Sequence, residues 1–226
     1  MTYGEYVDPE VFAVLRAWSA VMVNFEKRVA DLLFNATTWT GASLTTGITH
    51  EWDDATNAVP IDDVEAAVQK VYDGSGLWPD SLIINRKVFR NLRNCDQIVD
   101  RCKAQGFMDV RAGEITESQL ASVFDLPKII VAGGTKNTAN QGQAASPGQI
   151  WSGEYAMVAK TADTDDPREP CVARTFHWPE DGSEIDGRVE EYRDEVVRGD
   201  VYRVRHQTDE LVMYTSAAHL LSNVTT

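Results

Sequence analysis

The stretch Asp8-Pro-Glu-Val-Phe-Ala-Val-Leu-Arg-Ala-Trp-Ser-Ala-Val-Met-Val-Asn-Phe-Glu-Lys-Arg-Val-Ala-Asp-Leu-Leu-Phe34 decides the fold. Asp8 carries a side chain suited to capping a helix start, and Pro9 fits the first helical position. Val11, Val14, Leu15, Trp18, Val21, Met22, Phe25, Val29, Leu32 and Leu33 then recur at the three-and-four spacing of one helical face, which predicts a helix over Pro9 to Phe34. At ~1.5 Å per residue it would be about 39 Å long, whereas a compact chain of this size has a radius of gyration of about 17 Å. Such a helix nearly crosses the molecule and acts as its spine.

Working outward, the composition after Asn35 turns to Thr, Gly, Ser and Trp without helical period, which reads as loop and short strand up to Asp54. Pro60 opens a second amphipathic helix with Ile61, Val64, Val68 and Val71 on one face and Gly74 as its expected stop. Leu82-Ile-Ile reads as a short buried strand, followed by helical segments over Arg86 to Arg93 and Asp96 to Lys103. Thr116-Glu-Ser-Gln119 has the form of a capping box, starting a helix that ends near Phe124. Ile129-Ile-Val-Ala reads as another buried strand, closed by Gly133-Gly134. From there to Gln149 the residues are almost all small or polar, predicting a long mobile loop. Strands are expected again at Ile150 to Val158 and at Cys171 to Trp178.

The last third differs. Gly187 to Tyr192 and Asp200 to His206 read as two strands joined by a hairpin around Val197-Arg-Gly-Asp. Between Glu180 and Glu210 stand eleven acids and five arginines, with no lysine. One reading is a solvated sheet face, since exposed ion pairs are common and contribute little. The other is a charge zipper between subunits, because arginine suits forked carboxylate pairing at interfaces. Its candidate residues are Arg188, Arg193, Arg198, Arg203, Arg205, Glu190, Asp194 and Glu195. Helices and strands mix without regular alternation, and no repeat is visible, so the class is α+β and neither doubly wound nor a solenoid.

The whole chain has 226 residues, 21 Lys+Arg against 35 Asp+Glu and a net charge of -14. That balance argues against gripping nucleic acid by neutralising phosphates, which takes clustered cations. No run approaches the ~20 apolar residues of a membrane span, and Met1-Thr-Tyr-Gly-Glu lacks the form of a secretory signal. Cys95, Cys102 and Cys171 are too sparse and too widely spaced for a disulfide framework or a zinc site, and they point to a reducing compartment.

No catalytic constellation emerges. Gly133-Gly-Thr-Lys after a strand has the flavour of a phosphate loop, but the GxxxxGK[ST] spacing is absent and no helix pattern follows. Asp163, Asp165 and Asp166 begin like a calcium loop, yet Pro167 and Arg168 interrupt it. His50, His177, His206 and His219 stand singly, with no HExxH. No GxSxG elbow is present, and the adjacent carboxylates Asp53-Asp54, Asp62-Asp63 and Glu190-Glu191 point apart in helix or strand. Arg198-Gly-Asp200 is explained by a glycine hairpin. The expectation is therefore a protein that is not an enzyme and needs no cofactor or metal. Six Trp and seven Tyr spread through loops and core suit large contact surfaces.

Several segments together resemble the major capsid proteins of tailed bacteriophages, with the Hong Kong 97 type fold. They are the long helix ending Val29-Ala-Asp-Leu-Leu-Phe-Asn with Trp39-Thr-Gly and Glu51-Trp-Asp-Asp; Leu82-Ile-Ile-Asn-Arg-Lys-Val-Phe-Arg-Asn-Leu with the helix over Asp96 to Cys102; Ile129-Ile-Val-Ala-Gly-Gly-Thr-Lys-Asn-Thr-Ala-Asn with Ile150-Trp; and Arg188-Val-Glu-Glu-Tyr-Arg-Asp-Glu-Val-Val-Arg-Gly-Asp-Val-Tyr-Arg-Val-Arg-His. Their order spans nearly the whole chain. The resemblance implies a peripheral domain of residues 1–60 and 171–210, spine helix plus late strands, with the charge zipper at subunit contacts. It implies an axial domain of residues 61–170 and 211–226, with the Gly133 to Gln149 loop at its tip. Such proteins carry an N-terminal arm and an extended hairpin loop before the spine helix. Only eight residues precede Pro9, so the chain is expected to lack both, or to be truncated or processed, and to assemble poorly alone.

The resemblance implies a structural subunit of a tailed phage or prophage, made in the host cytoplasm and ending in the virion. It would form pentamers and hexamers of an icosahedral shell around double-stranded DNA, without sequence-specific binding. Portal, scaffold or decoration proteins would be its partners, and no membrane. Rival readings are an encapsulin-like compartment shell and a small-molecule-binding or hydrolytic α+β domain.

Overall fold

The computed structural model describes residues 8–104, 113–140, 142–179, 187–196 and 198–225. The spine helix α1 is Pro9–Leu33. Asp8 caps it as expected, its Oδ1 accepting the Glu10 backbone N–H at 3.0 Å. At the other end Trp39 Nε1–H donates to the Leu33 carbonyl at 2.8 Å, satisfying one of the acceptors a helix end leaves open. Trp39 is fully buried.

The chain divides into two compact units, one of Met1–Val29 and Thr175–Leu211, the other of Ala30–Arg174 and Val212–Thr226. Residues 30–60, expected to group with the spine helix and the late strands, instead cluster with the middle of the chain. The reason is local: β1 (Thr45–Gly47) pairs in parallel with the late strand β11 (Ala218–Ser222), and Trp52 is buried in the second unit's core.

The second unit is built on a five-stranded sheet of order β1-β11-β6-β2-β3, with β2 at Ser81–Asn85, β3 at Lys128–Ala132 and β6 at Ala156–Ala159. β2 runs parallel to β3 and antiparallel to β6. Every residue of β2 and of β6 is buried, as a strand covered on both faces requires. Leu82 and Ile84 enter one core with Trp52, Val64, Leu92, Ile98, Leu120 and Val158. Each such side chain stabilises the fold by about 1.5–3 kcal/mol through removal from water. The helices of this unit are α2 (Pro60–Ser75), α3 (Arg86–Leu92), α4 (Asp96–Ala104) and α5 (Glu117–Phe124). The capping box at Thr116 and Gln119 forms as expected.

Four expectations change. α2 runs through Gly74 and ends at Gly76, which takes the left-handed conformation at φ 70° that glycine permits without a Cβ clash. β3 is an edge strand and only partly covered, Ile130 being 41% exposed, so an apolar run here does not mean a buried strand. The stretch 133–149 is not wholly loop: β4 (Thr135–Asn137) pairs with β5 (Pro147–Gln149) in an antiparallel hairpin. Asn137 Oδ1 tightens it by accepting the N–H groups of Ala139 and Ser146. The strand expected from Ile150 shrinks to β6.

In the first unit, β8 (Arg188–Asp194) and β9 (Gly199–Arg205) form an antiparallel hairpin, as the sequence predicts. Val197 of its turn lies outside the described residues. β7 (Ala173–His177) and β10 (Thr208–Val212) make a further two-stranded ribbon. No helix among the described residues is long and apolar enough to cross a membrane.

Candidate functional site

In the first unit α1 is held against the strands by side chains the sequence leaves unpaired. Arg28 forks onto Glu210, with Nε and Nη2 at 2.8 and 2.9 Å from its two carboxylate oxygens. Nη2 also donates to Thr208 Oγ1 at 3.1 Å. His206 is met edge-on by Phe25 and Trp18, with ring centroids 5.5 and 6.0 Å away. Gly187, at φ 91°, lies so close to Trp18 that an added Cβ would stand 2.5 Å from the ring.

The eight zipper candidates separate. Arg203 stands directly opposite Glu190 in the β8–β9 register. Its Nη2 and Nε lie 2.6 and 2.9 Å from one Glu190 oxygen, and Arg205 Nη1 lies 2.9 Å from the other. Arg205, then Arg203, hold the Glu190 carboxyl below its usual range. Arg193 pairs with Glu195 at 3.1 Å and with Asp200, its cross-strand partner, at 3.4 Å. Asp194 accepts the Val196 backbone N–H at 2.8 Å and so shapes the turn. Arg198, at φ 52°, sits in that turn and makes Arg198-Gly-Asp200 part of the hairpin bend. Arg188 faces Arg205 across the strands. The structure thus gathers Glu190, Arg203 and Arg205 into one cluster, with Arg188 beside it opposite Arg205, and Arg193 and Glu195 into a second, while Asp194 and Arg198 lie at the turn.

The opposite face of the same hairpin carries what the sequence reading missed. Val189, Glu191 and Tyr202 form a groove of about 370 Å³ with Glu10, Val11, Val14 and Leu15 of α1. Burial and the neighbouring Glu10 carboxylate push the Tyr202 phenol up to about 12. Val11, Phe12 and Leu15 are 54, 59 and 60% exposed, so the first turns of the spine helix show an apolar face that the other described residues do not cover. The three-and-four spacing gave that face; it could not say whether the chain itself covers it.

The motifs set aside for chemistry have structural partners. Asp163 bonds Lys128 and Lys160 at 2.6 and 3.2 Å, and Asp166 pairs with Arg168 at 2.9 Å, so the acidic loop does not close into a cation ring. The loop is organised by Glu169, held down to about 2 by the Thr164 hydroxyl and the N–H groups of Asp163 and Thr164. Among the described residues no group of three or more His, Cys, Asp or Glu could hold a metal. Burial, with Asp96, Asp54 and Asp53 nearby, pushes the Cys95 thiol up to about 12 and removes its nucleophilic form at neutral pH.

No protein-family model matches the sequence, and no curated protein matches it. Solved structures do. A phage-related protein from Bordetella bronchiseptica RB50 superposes with a TM-score of 0.76 at 21% identity, over 95% of this chain and 65% of that one. A prophage protein of E. coli CFT073 assigned as a capsid protein superposes at 0.54 and 11% identity, over 92% of this chain and 64% of that one. This chain thus spans somewhat under two thirds of either. Long spine helix, α+β second unit and late charged hairpin together are the Hong Kong 97 type capsid fold.

Proposed function

We propose that the chain is the major capsid subunit of a tailed phage or prophage, assembling into pentamers and hexamers of an icosahedral shell that encloses double-stranded DNA. The observation that carries this reading is the likeness of fold, over 95% of the chain, to the phage-related protein. The apolar face at Val11, Phe12 and Leu15, exposed among the described residues, supports it, since a subunit built for closed self-association presents surface that another copy covers. The net charge of -14 suits a wall that contains DNA without gripping it. In this reading the first unit serves as the peripheral domain and the second as the axial domain, with the β4–β5 hairpin toward the capsomer axis. The Glu190, Arg203 and Arg205 cluster borders a neighbouring subunit. Portal, scaffold and decoration proteins complete the virion.

Electron microscopy of the chain, expressed alone and with its genomic neighbours, tests the proposal. Capsomers or shells holding DNA are the expected result. Shells filled with enzyme would reassign it as a compartment shell, and a monomer at every concentration and in every combination would overturn self-assembly.

A further inference from the structure

The second unit contains a cationic cleft that neither the fold nor the shell reading explains. Its volume is about 520 Å³, and it is lined by Arg86, Lys87 and Arg90 of α3, by Gly133, Gly134 and Thr135 beyond β3, and by Gln149 and Trp151. α3 follows β2 directly, and the Gly133-Gly134 turn follows β3. Because β2 and β3 are parallel neighbours with Asn85 opposite Ala132, both connections leave the sheet at the same end. Ligands collect at that end in open sheets with parallel strands. The Gly133-Gly134 turn, which lacks the GxxxxGK[ST] spacing and a following helix, therefore gains cations from another part of the chain.

The chemistry of the lining is one-sided. No carboxylate lines the cleft, in a chain with 35 Asp and Glu. Arg86 and Arg90 have no hydrogen-bond or ion-pair partner among the described residues. They are one turn apart on α3, a like-charge spacing that disfavours the helix unless an anion intervenes. Three groups of the lining that could accept a hydrogen bond are already engaged. Gln149 Oε1 takes Asn85 Nδ2 at 2.9 Å, the Trp151 carbonyl takes the same amide at 3.1 Å, and the Gly134 carbonyl takes the Ile150 N–H at 3.0 Å. What remains is the guanidinium groups of Arg86 and Arg90, the Gln149 NH₂ and the Thr135 hydroxyl, a set made almost wholly of donors. Gly133 keeps the wall low: the Arg86 stem crosses it, its Cδ 3.8 Å from where a Cβ would stand.

We propose that this cleft binds a phosphate ester. A phosphate group offers only acceptor oxygens, carries one charge as a diester and up to two as a monoester, and spreads its terminal oxygens tetrahedrally, so it can meet the guanidinium forks of Arg86 and Arg90 together, whereas a planar carboxylate is matched by one fork. The phosphate comes either from a free nucleoside monophosphate or from a nucleic-acid backbone, and the cleft is local enough that a few contacts there do not conflict with an acidic chain. The site is complete within one chain and stands whether or not shells form.

Calorimetric titration of the full chain with inorganic phosphate, a nucleoside monophosphate, a short oligothymidylate and a tetra-aspartate peptide tests it. Phosphate-bearing probes are expected to bind and to compete with one another, and Arg86→Ala/Arg90→Ala to weaken them by about tenfold or more. Preference for the monophosphate assigns a free ligand. Preference for the oligonucleotide, with affinity falling steeply with salt, assigns a backbone. Arg86→Lys/Arg90→Lys, with circular dichroism to confirm the fold, keeps the charge and should bind more weakly than wild type but better than the alanine pair. Absence of binding by every phosphate probe, equal binding by the alanine pair, or preference for the peptide overturns the proposal.

Discussion

Arg28 and Glu210, 182 residues apart in the chain, meet as a two-pronged ion pair that ties the spine helix to the last strand of its own unit. The Glu210 side chain is only 10% exposed and the Arg28 side chain 43%. The hydrogen bonds from Arg28 are the main reason the Glu210 carboxyl lies below its ordinary value of 4.5. A carboxyl lowered in the folded state adds stability that is full above its unfolded value and is lost as pH falls through the folded value. Arg28→Ala should therefore cost about 1–2 kcal/mol at neutral pH, a figure reduced for the exposed guanidinium. The deficit should begin to shrink as pH falls below about 4.5 and should close only once pH has passed below the lowered folded value of Glu210, where the carboxyl is protonated in both chains. Urea denaturation across that range reads both effects. A deficit independent of pH would assign the loss to packing of the arginine stem instead.

Gly187→Ala should destabilise the first unit by about 2–3 kcal/mol. Two costs add: a left-handed backbone at φ 91° that alanine resists, and a Cβ placed 2.5 Å from Trp18 Cζ3 and 2.9 Å from the Arg205 carbonyl. Trp18→Leu in the same chain should recover only part of the loss, because the backbone contact remains. Full recovery would mean the ring alone sets the cost. Both are measured by chemical denaturation.

The spine helix was legible because independent local signals agree: Asp8 and Pro9 mark its start, and the apolar spacing runs without a break to Leu33. The capping box at Thr116 and Gln119 was legible for the same reason, since cap chemistry lies within four residues. What escaped is non-local. Leu15 and Leu33 obey the same period, yet Leu15 is 60% exposed and Leu33 is buried, because period identifies a face and not its partner. The polar stretch 133–149 hid a hairpin held by backbone pairing and Asn137, which leave no hydrophobic alternation. The cationic cleft escaped because Arg86 and Gly133 become neighbours only through the parallel register of β2 and β3. The paired charges of the late hairpin were visible as a pattern, but Glu190 joining both Arg203 and Arg205 depends on the strand register.

Replacing Arg203 and Arg205 by glutamine tests the zipper. Within the chain Glu190 then loses both cations that lower its carboxyl. If the cluster borders a neighbouring subunit, association into capsomers weakens on the order of tenfold near 0.1 M salt, and the difference from wild type fades toward 1 M. Analytical ultracentrifugation at the two salt concentrations gives the answer. Equal association of variant and wild type at both would leave the cluster as a solvated intrachain pairing.

Acid should weaken the second unit through His219, a fully buried residue of the strand between β1 and β6. Its Nδ1 lies 2.9 Å from the Ser43 carbonyl, an acceptor only, so Nδ1 carries the proton. Nε2, 2.9 Å from Thr46 Oγ1, then accepts from that hydroxyl, and Thr46 in turn accepts from Lys70. Protonating Nε2 would remove an acceptor and place a second cation near Lys70. Burial, chiefly, and Lys70 hold the imidazole below its ordinary value of 6.5. With the folded value below the unfolded one, the unfolded chain binds the proton first. Stability is thus full above about pH 6.5 and declines as pH falls toward the folded value. His219→Gln can donate to Ser43 but cannot be charged. It should be less stable than wild type at pH 8, and its stability should fall less between pH 7 and 5 by roughly 1 kcal/mol. Denaturation at several pH values checks this, and parallel curves for the two chains would mean that the imidazole is not the titrating group.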